Sequence, residues 1–519
     1  MAEKGFGKWI IVVTVILAAL LELIDSTVVN VALNQIMGNL GATLEDVAWV
    51  ITAYAVANVI ILPMNGWLSA RFGRKNYFAF SIILFTVASF LCGNATNIWE
   101  LIIFRFIQGI GGGALLSTSQ SILFETFKPE ERGMATAIFG IGVVLGPTFG
   151  PTLGGWITDH YSWPWIFYVN IPLGIIATLL TITYIKNSEF HVRPPKTDWP
   201  GIALLITGIG ALQILLERGE HDAWFESNFI IALTVISIIS IGTFIWWELR
   251  TEHPVVNLRV VTASRRLAFG MVFTFILGFG LYASLFIFPI FVQGLLGWTA
   301  EQTGLLLMPS GLISLFVMPT VGVLLRKGIP PQYLATIGFL MFFGFTHFLA
   351  GSNLNSGWYD FMWPQLMRGI GMGFMFVPIT NFALGGLAPK DISQGTGLNN
   401  MMRQLGGSFG IAAVATFISH RAAFHRSALL ANINIYDPET QSRLTGMTGN
   451  FISKGFDPTT ANMMATKALD GAVMKQSMML SYLDNFWIVG MFFLCCIPLL
   501  LLQPRSEKPD TKISPADAH

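Results

Sequence analysis

The chain has 519 residues, of which 53% are hydrophobic and 11% charged, with a formal net charge of +1. Soluble domains carry about 25% charged residues, so this chain lacks the polar surface of a water-facing globule, and its balanced charge gives no bulk reason for a nucleic-acid partner. Cys92, Cys495 and Cys496 all lie in apolar blocks and read as small buried hydrophobes, which argues against a disulfide framework or a metal site.

The apolar blocks fall near residues 9–31, 47–69, 77–94, 99–123, 133–157, 164–185, 199–217, 228–247, 267–292, 302–325, 332–351, 361–386, 396–418 and 484–502. A block of about 20 residues crosses the hydrocarbon core as a helix, and inside lipid only helices and closed barrels satisfy their own backbone. These blocks are too long and too evenly apolar for barrel strands. The predicted fold is all-α and integral to the membrane, with fourteen spans. The first block is too long for a signal-peptide core and lacks a small-residue cleavage site, so it reads as a span.

Helix one carries Glu22 and Asp25, three residues apart on one face. Desolvation favours the neutral acid, and two carboxylates one turn apart resist double ionisation, so one of them is expected to hold a proton near neutral pH. Asp25 is the expected principal proton carrier, with Glu22 as a coupled carboxyl or a substrate contact. Between helices two and three, Gly66-Trp-Leu-Ser-Ala70-Arg71-Phe-Gly73-Arg74-Lys75 makes a tight, basic turn. Helix four holds Arg105-Phe-Ile-Gln108-Gly109. A charge at mid-membrane is costly and functional by default, so Arg105 is expected to tune the two acids by approach and withdrawal. The alternative is a static Asp25–Arg105 ion pair joining helices one and four.

Helix five reads Gly142-Val-Val-Leu-Gly146-Pro147-Thr-Phe-Gly150-Pro151-Thr-Leu-Gly154-Gly155. Glycines at intervals of four give a packing face, and two prolines remove backbone donors and bend the helix, as a hinge and seal between halves requires. Helix six opens on Trp163-Pro-Trp-Ile-Phe-Tyr-Val-Asn170-Ile-Pro-Leu-Gly174. Further on, Gly109, Gly111, Gly113, Pro129 and Leu145-Gly146 recur as Gly369, Gly371, Gly373, Pro389 and Leu405-Gly406, always 260 residues later. Helices four and five therefore correspond to twelve and thirteen. The chain divides into six helices, an accessory insertion of two, and six more, with a central site exposed alternately to each side.

With both termini in the cytoplasm, 20 of the 30 Lys and Arg fall in cytoplasmic segments, one (Arg218) in a short external loop and six in the external segment 419–483. That bias satisfies the positive-inside rule. The remaining three, Arg105, Arg368 and Arg403, lie within the membrane. Arg368 and Arg403 are candidate contacts to an anionic or hydrogen-bonding substrate, Arg403 having the alternative of snorkelling to the cytoplasmic face. Weaker candidates lining an apolar cavity are Asn30, Asn58, Gln120, Tyr282, Phe286, Gln293 and Asn381. Segment 419–483, with Met463, Met464, Met474, Met478 and Met479 at loosely helical spacing, reads either as a solvated cap or as an adaptable docking surface.

The basic turn resembles the G-x-L-x-D-R-x-G-R-K signature of the major facilitator superfamily, with Ala70 where the family has an acid that helps lock neighbouring helices. Arg105 to Gly109 is similar to that family's R-x-x-Q-G motif, and helix five to its antiporter motif. Leu23-Ile-Asp25-Ser-Thr-Val-Val-Asn30-Val-Ala-Leu33 and the start of helix six resemble the fourteen-helix drug:proton antiporter branch. The resemblance covers essentially the whole chain. It implies the major facilitator fold, two six-helix bundles plus two extra helices, divided as 1–190, 191–260, 261–418, a long periplasmic loop 419–483, a last helix 484–503 and a cytoplasmic tail 504–519.

It also implies a proton-driven antiporter exporting hydrophobic drugs across the bacterial inner membrane, with no cofactor or metal. The implied partners are an EmrA-like periplasmic adaptor and a TolC-like outer-membrane channel. A proton-coupled symporter for a small organic solute is the main rival, and the helix-five motif speaks against it. The marks of other classes are missing: there is no G-x-x-x-x-G-K-[ST] phosphate loop, H-E-x-x-H or G-x-S-x-G.

Overall fold

The computed structural model describes residues 6–187, 196–434 and 436–502. The tail expected at 504–519, and residues 188–195 around the expected boundary of the first bundle, lie outside the described residues. The first half comprises α1 (Phe6–Leu40), α2 (Leu44–Phe72), α3 (Arg74–Gly93), α4 (Ile98–Thr126), α5 (Arg132–His160), the short α6 (Trp165–Tyr168) and α7 (Asn170–Tyr184). Next come α8 (Trp199–Arg218), α9 (Asn228–Glu248) and the short α10 (Arg259–Ala263). The second half holds α11 (Arg265–Ile290), α12 (Ala300–Arg326), α13 (Pro331–Ala350), α14 (Trp358–Leu384), α15 (Ile392–Leu430), α16 (Pro438–Ser453) and α17 (Pro458–Leu501). No strand occurs among the described residues.

The polar turns define where these apolar helices start. Thr43 and Asp46 form a reciprocal capping box at the head of α2, and Thr299 with Gln302 does the same for α12. Each box satisfies two backbone donors that the first turn leaves unpaired. Gly73, at φ 84°, ends α2 and begins α3 in a turn that only glycine adopts without strain.

Among the described residues, twelve helical stretches are long and apolar enough to cross a membrane, with α6 and α7 together forming one of them. The pair α14 and α15 passes that test jointly and bends by 119° at its break. At 27 and 39 residues these helices rise about 40 and 58 Å. Each exceeds the ~30 Å core, so a single crossing does not hold both.

The internal repeat is visible in the helix boundaries. α4, the 3-10 turn Pro129–Glu131 and α5 begin 260 residues before α14, the turn Pro389–Asp391 and α15. The packing repeats as well: α1 lies on α5 and α11 on α15, while α2 and α3 flank α4 as α12 and α13 flank α14. Across the interface α5 packs on α12 and α15 on α2, two contacts that exchange when the halves are exchanged. That reciprocity is what a pseudo-two-fold axis produces.

Two features differ from the sequence reading. The inserted α8, expected to be accessory, packs against both α2 and α15 and so bridges the halves. Its Gln213 donates to Ser408 at 2.8 Å, and Gly210 lets Val56 and Ile60 of α2 approach. Segment 419–483, expected as a loop, is largely helical: α15 continues to Leu430, α16 follows, and α17 begins at Pro458 and enters the membrane without a break. Asp437 and Asp457 cap α16 and α17, and the start of α17 packs its small residues Ala461 and Ala465 inward. These turns supply helix signals that a hydropathy reading of spans ignores.

Candidate functional site

The site is built around α1. Asp25 is 1% exposed and accepts three hydrogen bonds: from Arg105 Nη1 at 2.5 Å, Gln108 Nε2 at 2.9 Å and Asn170 Nδ2 at 2.8 Å. Arg105 also donates to Gln108 Oε1 at 2.8 Å, and its guanidinium lies 4.1 Å from the centre of the Tyr54 ring. Ser89 accepts from Asn170 and donates to the Phe167 carbonyl. A buried carboxylate this fully engaged is held in one geometry, because losing Arg105 would leave an uncompensated charge in low dielectric and losing either amide would forfeit a charge-assisted hydrogen bond.

Glu22, one turn earlier, is also buried but differently served. Asn58 Nδ2 donates to its Oε1 at 3.1 Å, and its Oε2 has no hydrogen-bond partner among the described residues. Arg403 lies on α15 of the other half, where its carbonyl packs against Gly278 of α11, and Tyr282 of α11 packs against Gly407 one turn on. Arg403 is 2% exposed, which excludes the snorkelling alternative. Asn58, a candidate for the substrate cavity, thus meets Glu22 directly.

The glycines of α5 form the seat of this helix. A Cβ at Gly146 would lie 2.5 Å from Leu23 Cβ, and one at Gly154 would lie 2.9 Å from the Val28 carbonyl oxygen. Gly150 meets Ile24 and Thr27, whereas Gly142 has slack, its nearest atoms standing 3.9 Å away. α5 runs unbroken through Pro147 and Pro151. At its far end Pro151 and Gly155 line a cleft against Glu301, Leu305 and Met308 of α12.

At the face where the N-terminus lies, polar contacts close the two halves on each other. Ser121 and Thr396 hydroxyls are 2.5 Å apart, Asn400 donates to Gln120 at 2.7 Å, and Gln394 donates to the Pro63 carbonyl at 3.2 Å. Gly66 permits the approach of Gln394, and Arg132 reaches the Gly385 carbonyl. Gln120 is thus an inter-half contact here. Within the first half, Arg74 pairs with Glu125 at the end of α4, and Asn187 accepts from the Lys75 amide beside Gly73. Arg71 sits in the last turn of α2.

Four expected cavity residues do not join the cluster. Asn30 is exposed, and Phe286 and Gln293 are half-buried, Gln293 in a π-turn at the end of α11. Asn381 lies in the last turn of α14, where its carbonyl accepts from Gly385. Azimuth around the helix, which hydropathy does not give, decides Asn30 and Phe286, whereas Gln293 and Asn381 stand at helix ends. Conversely, sequence reasoning did not assign Asn170, Gln108 or Tyr54 to the site. The usable signal was polarity within an apolar block, which Asn170 and Gln108 both show.

The arrangement is a buried, charge-compensated carboxyl site at the heart of two related helical bundles. The chain belongs to the Major Facilitator Superfamily, whose family model matches residues 15–411, and it is a secondary transporter in a multi-pass membrane fold. It is 33% identical over 500 residues to the multidrug export protein EmrB of Escherichia coli (strain K12), covering 96% of this chain and 95% of that one. It is likewise 33% identical over 504 residues to the fatty acid resistance protein FarB of Neisseria gonorrhoeae, covering 96% of each. Among solved structures it resembles the proton:xylose symporter XylE, with a TM-score of 0.60 at 14% identity over 96% of both chains. The human organic anion transporter MFSD10 gives a TM-score of 0.57 at 13% identity, covering 95% of this chain and 99% of that one. At such identities the structures speak for the fold alone.

Proposed function

We propose that this chain is a proton-driven multidrug efflux antiporter of the bacterial inner membrane, working by alternating access across fourteen spans grouped as six, two and six. The observation that carries the reading is the unequal pair of buried carboxyls on α1: Asp25 met by a guanidinium and two amides, Glu22 by a single amide. Desolvation favours the neutral acid and a nearby cation the charged one. Relative motion of α1 against Arg105 therefore takes up or releases protons. A proton at Asp25 cancels the charge that Arg105 answers and loosens α4 from α1. Each charge moved through about 100 mV is worth about 2.3 kcal/mol, enough to drive uphill export. The relative named multidrug export protein EmrB supports drugs as the cargo.

Both termini are placed in the cytoplasm by the charge bias, so the contacts around Ser121–Thr396 and Gln120–Asn400 close the cytoplasmic side. The helices α16 and early α17 then stand on the periplasmic side, where their exposed Met463 and Met474 offer a surface for an adaptor that passes cargo to an outer-membrane channel. Exchanging α16 for a short polar link should weaken adaptor co-purification; unchanged association would remove that role.

Transport in proteoliposomes tests the core of the proposal. Asp25→Asn should bind substrate and accumulate in the membrane, yet lose export against a gradient. A variant that still exports uphill removes Asp25 as the carrier. Wild-type transport indifferent to an imposed pH gradient removes antiport altogether.

A further inference from the structure

Beyond α1, buried ionisable side chains stand in the second half and in the insertion. Arg368 of α14 is 3% exposed and donates to the Ser310 hydroxyl at 2.6 Å. The helices α11 to α15 carry acids only in first turns, Glu301 and Asp360. The insertion holds the opposite arrangement, two acids side by side.

Asp198 caps α8, its Oδ1 accepting from the Gly201 amide at 3.0 Å and from Trp247 Nε1 at 2.9 Å. Glu248 is the last residue of α9, and its Oε2 accepts from the Val256 amide at 3.4 Å. They are 7% and 0% exposed, and Asp198 Oδ2 and Glu248 Oε1 have no hydrogen-bond partner among the described residues. Both of these oxygens lie within 2.6 Å of where a Cβ at Gly201 would stand. No more than about 5 Å therefore parts them, a separation at which each charge opposes the other's ionisation. The charged groups of the neighbouring segments turn elsewhere. Arg259 donates to the Leu249 and Thr251 carbonyls, and Arg250 lies over the Trp246 ring. Lys196 and Glu252 are exposed, His253 is half-buried, and Glu217 and Arg218 stand at the far end of α8.

The pair is tied to the closed face of the molecule. Val256, whose amide serves Glu248, shares a buried apolar core with Phe244 of α9, Met64 of α2 and Leu398 of α15. Met64 follows Pro63, whose carbonyl accepts from Gln394, and Leu398 stands two residues from Thr396, the partner of Ser121. We propose that Asp198 and Glu248 form a second proton-binding site, on the cytoplasmic side of the insertion, which holds one proton while the halves are closed there and yields it when they part. Separation of α2 from α15 removes a wall of the core around Val256 and admits water to both oxygens. Hydration favours the charged form, and the proton passes from the carboxyl oxygen to cytoplasmic water. The release step rests on the alternating-access reading, while the binding of a proton stands apart from it.

Infrared spectroscopy of the full-length protein in nanodiscs, titrated with pH, reads the carbonyl band of a protonated buried carboxyl. At neutral pH, Glu248→Gln should lose one carboxyl's share of that band. Asp198→Asn takes away the opposing charge, so the remaining acid should ionise about one pH unit lower or more. With Ser121→Cys and Thr396→Cys in a background without the native cysteines, oxidation should slow deuterium exchange of the band about tenfold or more, with recovery on reduction. An unaltered band in Glu248→Gln together with an unmoved titration in Asp198→Asn overturns the proposal. So does loss of the band on adding potassium or magnesium at constant pH, the mark of a metal-cation site. If Glu248→Gln does not accumulate, Asp198→Asn decides alone. Exchange indifferent to the crosslink overturns the tie to the closed face. Wild-type transport that ignores an imposed pH gradient sinks the antiporter reading and leaves the proton site standing.

Discussion

Asp25 illustrates how burial turns a common side chain into a device. Its three donors come from α4 and α7, so the carboxylate ties three helices at one point. Asn170→Ala removes one of them and leaves Ser89 without the amide it accepts from. Hydrogen bonds to charged groups contribute about 1.5–3 kcal/mol each, so gradient-driven export should drop roughly tenfold or more while substrate binding persists. Export equal to wild type would show that Asn170 only packs. A control lies at the protein edge: Lys8 donates to Glu131 at 2.6 Å and holds that carboxyl below the usual carboxylate range. With its folded-state pKa depressed, this link is present above the ordinary range and is lost only as the pH falls through the lowered value. Glu131→Gln should therefore leave the pH profile of export around neutrality unmoved, and a shifted profile would relocate the proton site. Asp25, Glu22 and Arg105 were legible in the sequence because charge in an apolar block is rare. The amides that saturate Asp25 stood in quoted motifs but were not assigned to it, because only the fold shows which polar side chains turn inward.

At the scale of the element, α5 shows spacing becoming contact. Glycines at intervals of four place one bare face along the helix, and that face seats α1 with its acids. The seating is graded, and the gradient is testable. Gly142→Ala adds a methyl whose nearest neighbours stand 3.9 and 4.0 Å away, whereas the Cβ of Gly146→Ala meets Leu23 at 2.5 Å. Overpacking costs about 1–3 kcal/mol, so Gly146→Ala should lower the thermal midpoint and export together, and Gly142→Ala should change neither. Equal effects at the two positions would show that the face is not the seat of α1. The same reasoning explains α8. Its apolar length marks it as a span, but only its place between α2 and α15 makes it a bridge between halves.

For the whole molecule, alternating access requires that contacts on one side break as those on the other form. The Ser121–Thr396 pair brings side chains of α4 and α15 to 2.5 Å across the interface, close enough for a disulfide between cysteines at those positions. Ser121→Cys with Thr396→Cys, in a background with the three native cysteines replaced, should crosslink under oxidation and stop export, with recovery on reduction. Undiminished export by the crosslinked protein would mean that this face never opens.

The sequence by itself determined the membrane solvent, the approximate spans, the two-fold repeat and the buried charges, because each rests on composition or spacing along one dimension. Lipid forbids unpaired backbone, so apolar length alone dictates helix. The tertiary structure decided the rest: which amides meet Asp25, that Gln120 joins the halves, that α8 bridges them, and that Arg368 has no acid where Arg105 has one. Those are questions of azimuth and crossing, set by how glycine faces let particular helices approach, and no single helix holds that information.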